Sequence, residues 1–274
     1  MKVAVCVRPN FPEAVSAARP AADRIRALGH EAIDVGLDDV RDASLKGVEI
    51  AVVFGGDGTM LHAARALAPR GIPLLGVNIG HLGFLTIATT AEFEAAFSDV
   101  AAGRYEVEER SMLDARLVRD GREIATGLAL NDVVVARGAL VRSIHIQVTV
   151  DGAPLILYWA DGVITATATG STAYAFSVGG PLILPTSQNI TLVPIAPHLS
   201  FPNAFVFDPD QRITLDVNDA PARLSIDGQV EYDVKMGDRI EVARSRTVAK
   251  LVRTAPARPF LALLRQKILK EPEK

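Results

Sequence analysis

Apolar residues recur at two different periods along this chain, and the change comes near Tyr105. Before it, short apolar runs alternate with helical spacings. Val3–Val7 reads as a buried strand. From Pro12 to Leu28 the apolar positions Ala14, Ala17, Ala18, Ala21, Ile25 and Leu28 lie on one face of a helix, and Gly29 is its stop. Pro20 falls inside that stretch and should kink the helix or start a new one. Glu49–Phe54 is the next strand, a helix runs from about Thr59 to Leu67, and Pro73–Gly76 is a further short strand. Strand and helix alternating at this pitch specify a parallel α/β sheet.

After Tyr105 the period falls to two. Asp120-Gly121 and Asp151-Gly152 each stand between apolar runs in the manner of hairpin turns. Ser143–Val150 alternates apolar and polar residues, and Gln211–Val217 and Asp238–Val242 continue the pattern. One-sided strands in such number bury their apolar faces against each other, as an all-β sandwich. The segment Phe260–Leu269 returns to helical spacing. The expectation is an α/β N-terminal domain over 1–105 and an all-β sandwich C-terminal domain over 106–254.

Charge and cysteine usage narrow the function classes. Lys plus Arg number 29 against 32 Asp plus Glu, a net charge of −3, which argues against a general nucleic-acid binder. Cys6 is the single cysteine, so an intrachain disulfide and a cysteine zinc site are excluded, and its apolar surroundings mark it as a buried small residue. There is neither a signal-peptide pattern nor an apolar run long enough to span a membrane, so a soluble, cytoplasmic protein without membrane partners is expected.

The sharpest chemical signal is Phe54-Gly55-Gly56-Asp57-Gly58-Thr59, set between a strand and a helix. Glycines allow a tight turn and close approach of a ligand, and a helix beginning near Thr59 would turn its positive end toward a phosphate. The turn is neither a Walker A loop nor a dinucleotide Gly-x-Gly-x-x-Gly turn. A carboxylate among the glycines would repel a phosphate unless it had work to do, such as accepting a hydroxyl proton or helping hold a metal. The plain alternative is a strand-to-helix turn with Asp57 as its N-cap.

Three other segments join it. Asn78–Thr86 follows the next strand, so in a parallel sheet its loop should border the first. There Phe84 either stacks on a ligand ring or packs in the core, and His81 reads as a hydrogen-bonded loop residue. Asn131-Asp132 offers donors and acceptors suited to ribose hydroxyls, or is simply a turn. Asp161–Pro181 has the hydroxyl-rich centre Thr169-Gly-Ser-Thr-Ala-Tyr174, in which Ser171 or Thr172 either caps a short helix or binds ligand oxygens.

In this order the four segments resemble the NAD kinase family over nearly the whole chain. The Gly-Gly-Asp-Gly turn alone is shared with lipid kinases and phosphofructokinases. The resemblance implies transfer of the γ-phosphoryl group of ATP to the 2′-hydroxyl of the adenosine ribose of NAD, giving NADP. It implies a divalent cation such as Mg²⁺, though no ligand set for one can be read from the sequence. It also implies a homodimer or homotetramer, and a C-terminal return in which 255–274 completes the first domain.

By motif, the resemblance implies that Asp57 is the general base, with Gly55, Gly56, Gly58 and Thr59 forming the phosphate turn. For NAD it implies contacts from Asp57, Gly58, Phe84, Asn131, Asp132, Arg142, Asp161, Thr172, Ala173, Tyr174, Ala175, Phe176, Ser177 and Gln229. The chain departs from the family's usual pattern at Asp132, where a glutamate is common, at Ala168, where a proline is common, and at Trp159, where an arginine is frequent. Two rival readings use less of the sequence: a lipid or sugar-phosphate kinase needs only the first motif, and an NAD(P)-binding sensor has no use for Asp57.

Overall fold

The structure, a computed structural model, describes residues 1–40, 44–80, 82–138, 142–219, 221–254 and 258–268. His81 and the last residues of the expected C-terminal segment lie outside the described residues. In chain order the first elements are β1 (Lys2–Val7), α1 (Pro12–Ala27), β2 (Glu31–Gly36), β3 (Ile50–Phe54), α2 (Asp57–Leu67) and β4 (Leu74–Asn78). Then come β5 (Ala88–Thr89), α3 (Phe93–Ala101), β6 (Tyr105–Arg119), β7 (Arg122–Ala129) and β8 (Asp132–Arg137). Next are β9 (Ile144–Val150), β10 (Ala153–Ala160), β11 (Gly162–Ala166), α4 (Tyr174–Ser177), β12 (Ile190–Ile195) and β13 (Phe205–Phe207). The chain closes with β14 (Ile213–Val217), β15 (Ala222–Ile226), β16 (Val230–Val234), β17 (Arg239–Thr254) and α5 (Phe260–Lys267).

These elements form two compact units, one of residues 1–109 with 248–274 and one of residues 110–247. In the first, β2, β1, β3 and β4 lie side by side in parallel, and Leu251 of β17 continues the sheet beyond β4. Helices cover both faces, so β3 and β4 are buried at every position, as a parallel sheet requires. On one face α1 sets Ala14, Ala18, Ala21, Ala22 and Ile25 into a core with Phe93 and Phe97 of α3. Elsewhere α2 buries Met60, Ala63, Ala64 and Leu67. The C-terminal helix α5 belongs to this unit, where Leu263 is buried and Phe260 packs on Phe84 with ring centroids 5.9 Å apart.

Of the two alternatives at Pro20, the start of a new helix is not what forms, because α1 is continuous through it. Both Pro20 and Ser16, whose carbonyl loses a donor to the proline, are exposed, so water replaces the missing bond. Strand β2 escapes a reading by apolar runs because it is an edge strand paired only with β1, and Val35 is its single buried residue.

The second unit is a two-layer β-sandwich. One layer has the order β10-β9-β14-β17, the other β13-β12-β11-β8-β15-β16, with the β6–β7 hairpin joining the same core. Ile144, Ile146, Val148 and Val150 of β9 alternate inward against Val133, Val135, Val163, Leu192 and Leu224 of the opposite layer. The outer face of the second layer is also covered: Val134 and Ile164 meet Ala175 of α4 in a smaller core. Asp120-Gly121 and Asp151-Gly152 are hairpin turns, each with both residues at positive φ. A third turn of the same kind, Asp227-Gly228, joins β15 to β16. Cys6 is fully buried in β1, and burial pushes its thiol up to about 12, as suits a structural residue. Among the described residues no helix is long and apolar enough to cross a membrane.

Candidate functional site

The glycine turn follows β3 directly. Gly55 extends the β3–β4 ladder by donating to the Val77 carbonyl, then turns the chain at φ 151°, a conformation that favours glycine. A Cβ at Gly55 would also overlap the Thr59 side chain. Gly56 is the N-cap of α2, which starts at Asp57, earlier than Thr59, so Asp57 and Gly58 form its first turn. Asp57 is not the N-cap, since no side chain caps this helix. Its carboxylate instead reaches the neighbouring loop: Oδ2 accepts from Phe84 N at 2.9 Å and Oδ1 from Leu85 N at 3.0 Å.

That loop is the second glycine-rich segment, placed beside the first because β3 and β4 are adjacent and parallel. Its shape is set from within. Asn78 Oδ1 accepts from Gly80 N at 2.9 Å, and the fully buried Thr86 Oγ1 accepts from Gly83 N at 2.7 Å. Gly83 lies so close to Asp57 that a Cβ there would overlap the carboxylate. Phe84 is half-buried between Phe260 and the Lys267 ammonium, which stands 5.9 Å from its ring centroid.

In the second unit Asn131 and Asp132 open β8, and the end of β11 lies next to them, with Ala166 opposite Asp132. The backbone of 130–132 is bonded throughout. Leu130 N, Asn131 N and Asp132 N all donate to the carboxylate of Asp227, at 3.0, 2.8 and 3.1 Å. Thr167 Oγ1 donates to Leu130 O at 2.6 Å, Thr167 N to Asn131 O at 2.9 Å, and Asp227 N to Asp132 O at 2.9 Å. Gly170 backs onto the Asn131 peptide so closely that a Cβ would overlap it.

The side chains of Asn131 and Asp132 are another matter. Among the described residues neither has a hydrogen-bond partner, although Asp132 is only 5% exposed. Burial first, and then the negative charge of Asp227, pushes the Asp132 carboxyl up to about 7.

The hydroxyl-rich segment forms a short 3-10 turn, Thr169–Thr172, ahead of α4. Neither Ser171 nor Thr172 caps α4. Ser171 Oγ donates to Ala168 O at 2.7 Å and accepts from Ile183 N at 3.0 Å, which commits it to structure. Thr172 Oγ1 donates to Thr169 O at 3.2 Å. Tyr174 and Ser177 are exposed and Thr172, Ala173 and Phe176 partly so, whereas Ala175 is buried and can offer a ligand only its backbone. The buried Arg110 of β6 donates to Thr169 Oγ1 at 3.1 Å, tying this turn down from another strand.

Asp161 and Arg142 lie elsewhere in the unit. Asp161 precedes β11 and sits at the Arg137 end of β8, where Arg137 pairs with it at 3.2 Å. The length of β8, roughly 17 Å at strand rise, separates that end from Asn131 and Asp132. Arg142 is exposed beside Asp219, whose carboxyl is held low mainly by its 2.5 Å contact with His145. His145 stacks on Trp159, 5.8 Å between centroids, and Trp159 meets His198 edge to face at 4.5 Å. Gln229 sits beside the Asp227-Gly228 turn, its N–H closing the turn on Ile226 O at 3.0 Å.

Gly55, Gly56, Asp57, Gly58, Thr59 and Phe84 thus belong to the first unit and the remaining expected site residues to the second. Asp227, Thr167 and Arg110 escaped the sequence reading. For Asp227 a signal existed: an Asp-Gly pair between two short alternating runs is the same hairpin pattern read at residues 120 and 151. Among the described residues no group of three or more His, Cys, Asp or Glu could hold a metal ion.

Both parts of the chain match family models, residues 3–105 that of the ATP-NAD kinase N-terminal domain and residues 130–254 that of the ATP-NAD kinase C-terminal domain. The NAD kinase of Symbiobacterium thermophilum is 39% identical over 279 residues, covering 97% of this chain and 98% of its own. That of Moorella thermoacetica is 42% identical over 231 residues, 84% of this chain and 74% of its own. Among solved structures, an NAD kinase from Archaeoglobus fulgidus in complex with ATP superposes with a TM-score of 0.80 at 25% identity, covering 99% of this chain and 100% of its own. Yeast NADH kinase complexed with NADH does so with 0.84 at 24% identity, covering 100% and 89%.

Proposed function

This chain belongs to the ATP-NAD kinase family, whose members use ATP to phosphorylate NAD, and we propose that Asp57 is the base for that transfer. The observation that carries the reading is the clamped carboxylate. Asp57 sits in the first turn of α2 beside the glycine turn, each oxygen accepting one backbone N–H from the neighbouring loop. A carboxylate held in this way keeps a lone pair on each oxygen and cannot swing aside.

The proton of the adenosine ribose 2′-hydroxyl passes to Asp57 as the oxygen bonds to the γ-phosphorus. The bond from that phosphorus to the bridging oxygen breaks, and ADP leaves. Phosphoryl transfer asks little covalent work of a protein beyond an in-line hydroxyl, an acceptor for its proton and neutralisation of charge. The positive end of α2 favours the phosphates at the glycine turn. A divalent cation, when bound, neutralises charge on the phosphates. With no group of three or more His, Cys, Asp or Glu among the described residues, such a cation would be carried mainly by nucleotide oxygens and water.

The dinucleotide is assigned to Asn131 and Asp132, whose side chains have no protein partner among the described residues while their backbone is fully bonded. Thr172, Ala173, Tyr174, Ala175, Phe176, Ser177 and Gln229, all of the same unit, complete that group. Asp161 and Arg142 stand at the far end of β8, so they serve the same ligand when a second copy of the chain presents them. That separation supports a homo-oligomer, a dimer or tetramer. The test is direct: purified protein given ATP, Mg²⁺ and NAD should form NADP, and Asp57→Asn should form far less. Wild-type protein that consumes ATP without making NADP would sink the reading.

A further inference from the structure

We propose that Asp227 is a positioning residue for the acceptor site: from the β15–β16 turn its carboxylate fixes the Leu130–Asp132 backbone and so aims the Asn131 and Asp132 side chains at the dinucleotide. The inference rests on the kinase reading above and adds a residue that touches no substrate.

Three consecutive backbone N–H groups converge on this one carboxylate, at 3.0, 2.8 and 3.1 Å. Successive amides pointing to one side form the concavity that binds anions in many proteins, and here the anion is built in. Asp227 N returns a bond to Asp132 O at 2.9 Å, so the two segments are joined in both directions. Asp227 is 7% exposed and sits at φ 52°, where aspartate and asparagine are tolerated better than most residues. Asn131 and Asp132, by contrast, have no side-chain partner among the described residues. Backbone fully bonded and side chains unspent is the arrangement expected of a ligand-binding turn held by a second layer of contacts. The same turn carries Gln229, whose N–H bonds to Ile226 O at 3.0 Å.

The charge that bears on Asp132 is that of Asp227, on the β15–β16 turn. Removing the charge of Asp227 therefore has an electrical consequence that loss of a structural brace alone does not.

The test is Asp227→Asn. Asparagine accepts the turn's backbone, but its amide nitrogen faces an N–H donor, so at least one of the three bonds is lost. KM for NAD should rise at least about tenfold, the usual worth of a hydrogen bond to a charged group, with kcat and KM for ATP changing less. The pH midpoint of NAD binding should move to lower pH, because Asp132 has lost a negative neighbour. A folded variant with unchanged KM for NAD and an unshifted midpoint overturns the proposal, as does one altered only in KM for ATP.

Should the variant not fold, hydrogen exchange on the wild-type protein decides. Amides of 130–132 should exchange slowly, and more slowly with NAD bound; exchange at the rate of an unstructured peptide overturns the proposal. Wild-type protein that makes no NADP would count against the kinase reading alone, because the exchange measurement does not depend on turnover.

Discussion

The proposed base Asp57 is also a clamped carboxylate, and the two roles can be separated. Asp57→Asn removes the proton acceptor and also sets an amide donor against Phe84 N or Leu85 N. Turnover should fall roughly 10²- to 10⁴-fold, the range for loss of a positioned general base. Gly83→Ala keeps the carboxylate but drives a Cβ into it. If placement matters as much as basicity, Gly83→Ala should also lose turnover at least about tenfold, since small misplacements near reacting atoms are costly. Gly80→Ala is the control, because a Cβ there meets nothing closer than Asn78 Oδ1 at 4.0 Å. Initial rates of the three variants answer the question; a fully active Gly83→Ala would mean that the clamp is not needed. The glycine-rich turn and its aspartate were legible as chemistry in the sequence. The clamp was not, because its partners are backbone atoms of Phe84 and Leu85, which any residue type could supply.

At the scale of elements, β8 begins with an electrostatic cost. The Asp132 carboxyl is pushed up to about 7, by burial first and by Asp227 second. A carboxyl that keeps its proton longer in the folded state than in the unfolded chain costs stability as pH rises from its ordinary value near 3.8 to about 7. Asp132→Asn should therefore match the wild type at pH 4 and exceed it at pH 8, by at most on the order of 4 kcal/mol, while NAD binding weakens. Urea denaturation at the two pH values checks the sign; an equal effect at both would remove ionisation from the account.

Helix α1 offers a simpler case. Pro20 is exposed within it and leaves the Ser16 carbonyl to water. Pro20→Ala should stabilise the protein by about 2 kcal/mol, the helix-interior penalty of proline less its restraint on the unfolded chain. A rise in Tm is the readout, and no change would mean that the helix has relaxed around the ring. Alternating strands such as β9 were legible because their burial has a period of two. Strand β2 was not, because an edge strand with one buried residue carries little periodic signal.

At the scale of the whole molecule, Asp161 lies at the far end of β8 from Asn131, which makes the partner copy a testable participant. Chains carrying Asp57→Asn and chains carrying Asp161→Ala should each be nearly inactive. If a site combines Asp57 of one copy with Asp161 of another, mixed oligomers contain intact sites and recover activity. If both residues come from one chain, mixing recovers nothing.

The sequence by itself determined the two periods, hence a parallel α/β sheet followed by a sandwich, and the order of four motifs that identifies the family. Those features are local: each reports which face of a short segment is buried, or which residues follow one another. Strand order decided the rest. Parallel β3 and β4 bring the Asp57 carboxylate onto the 83–85 backbone, and β8 between β15 and β11 brings Asp227 and Thr167 onto Asn131. The same order sends Asp161 to the opposite end of the sheet. Bonds between residues some 95 positions apart, such as Asp227 to Asp132, exist only after the sheets have assembled, and hydrophobic periodicity does not encode which strands become neighbours.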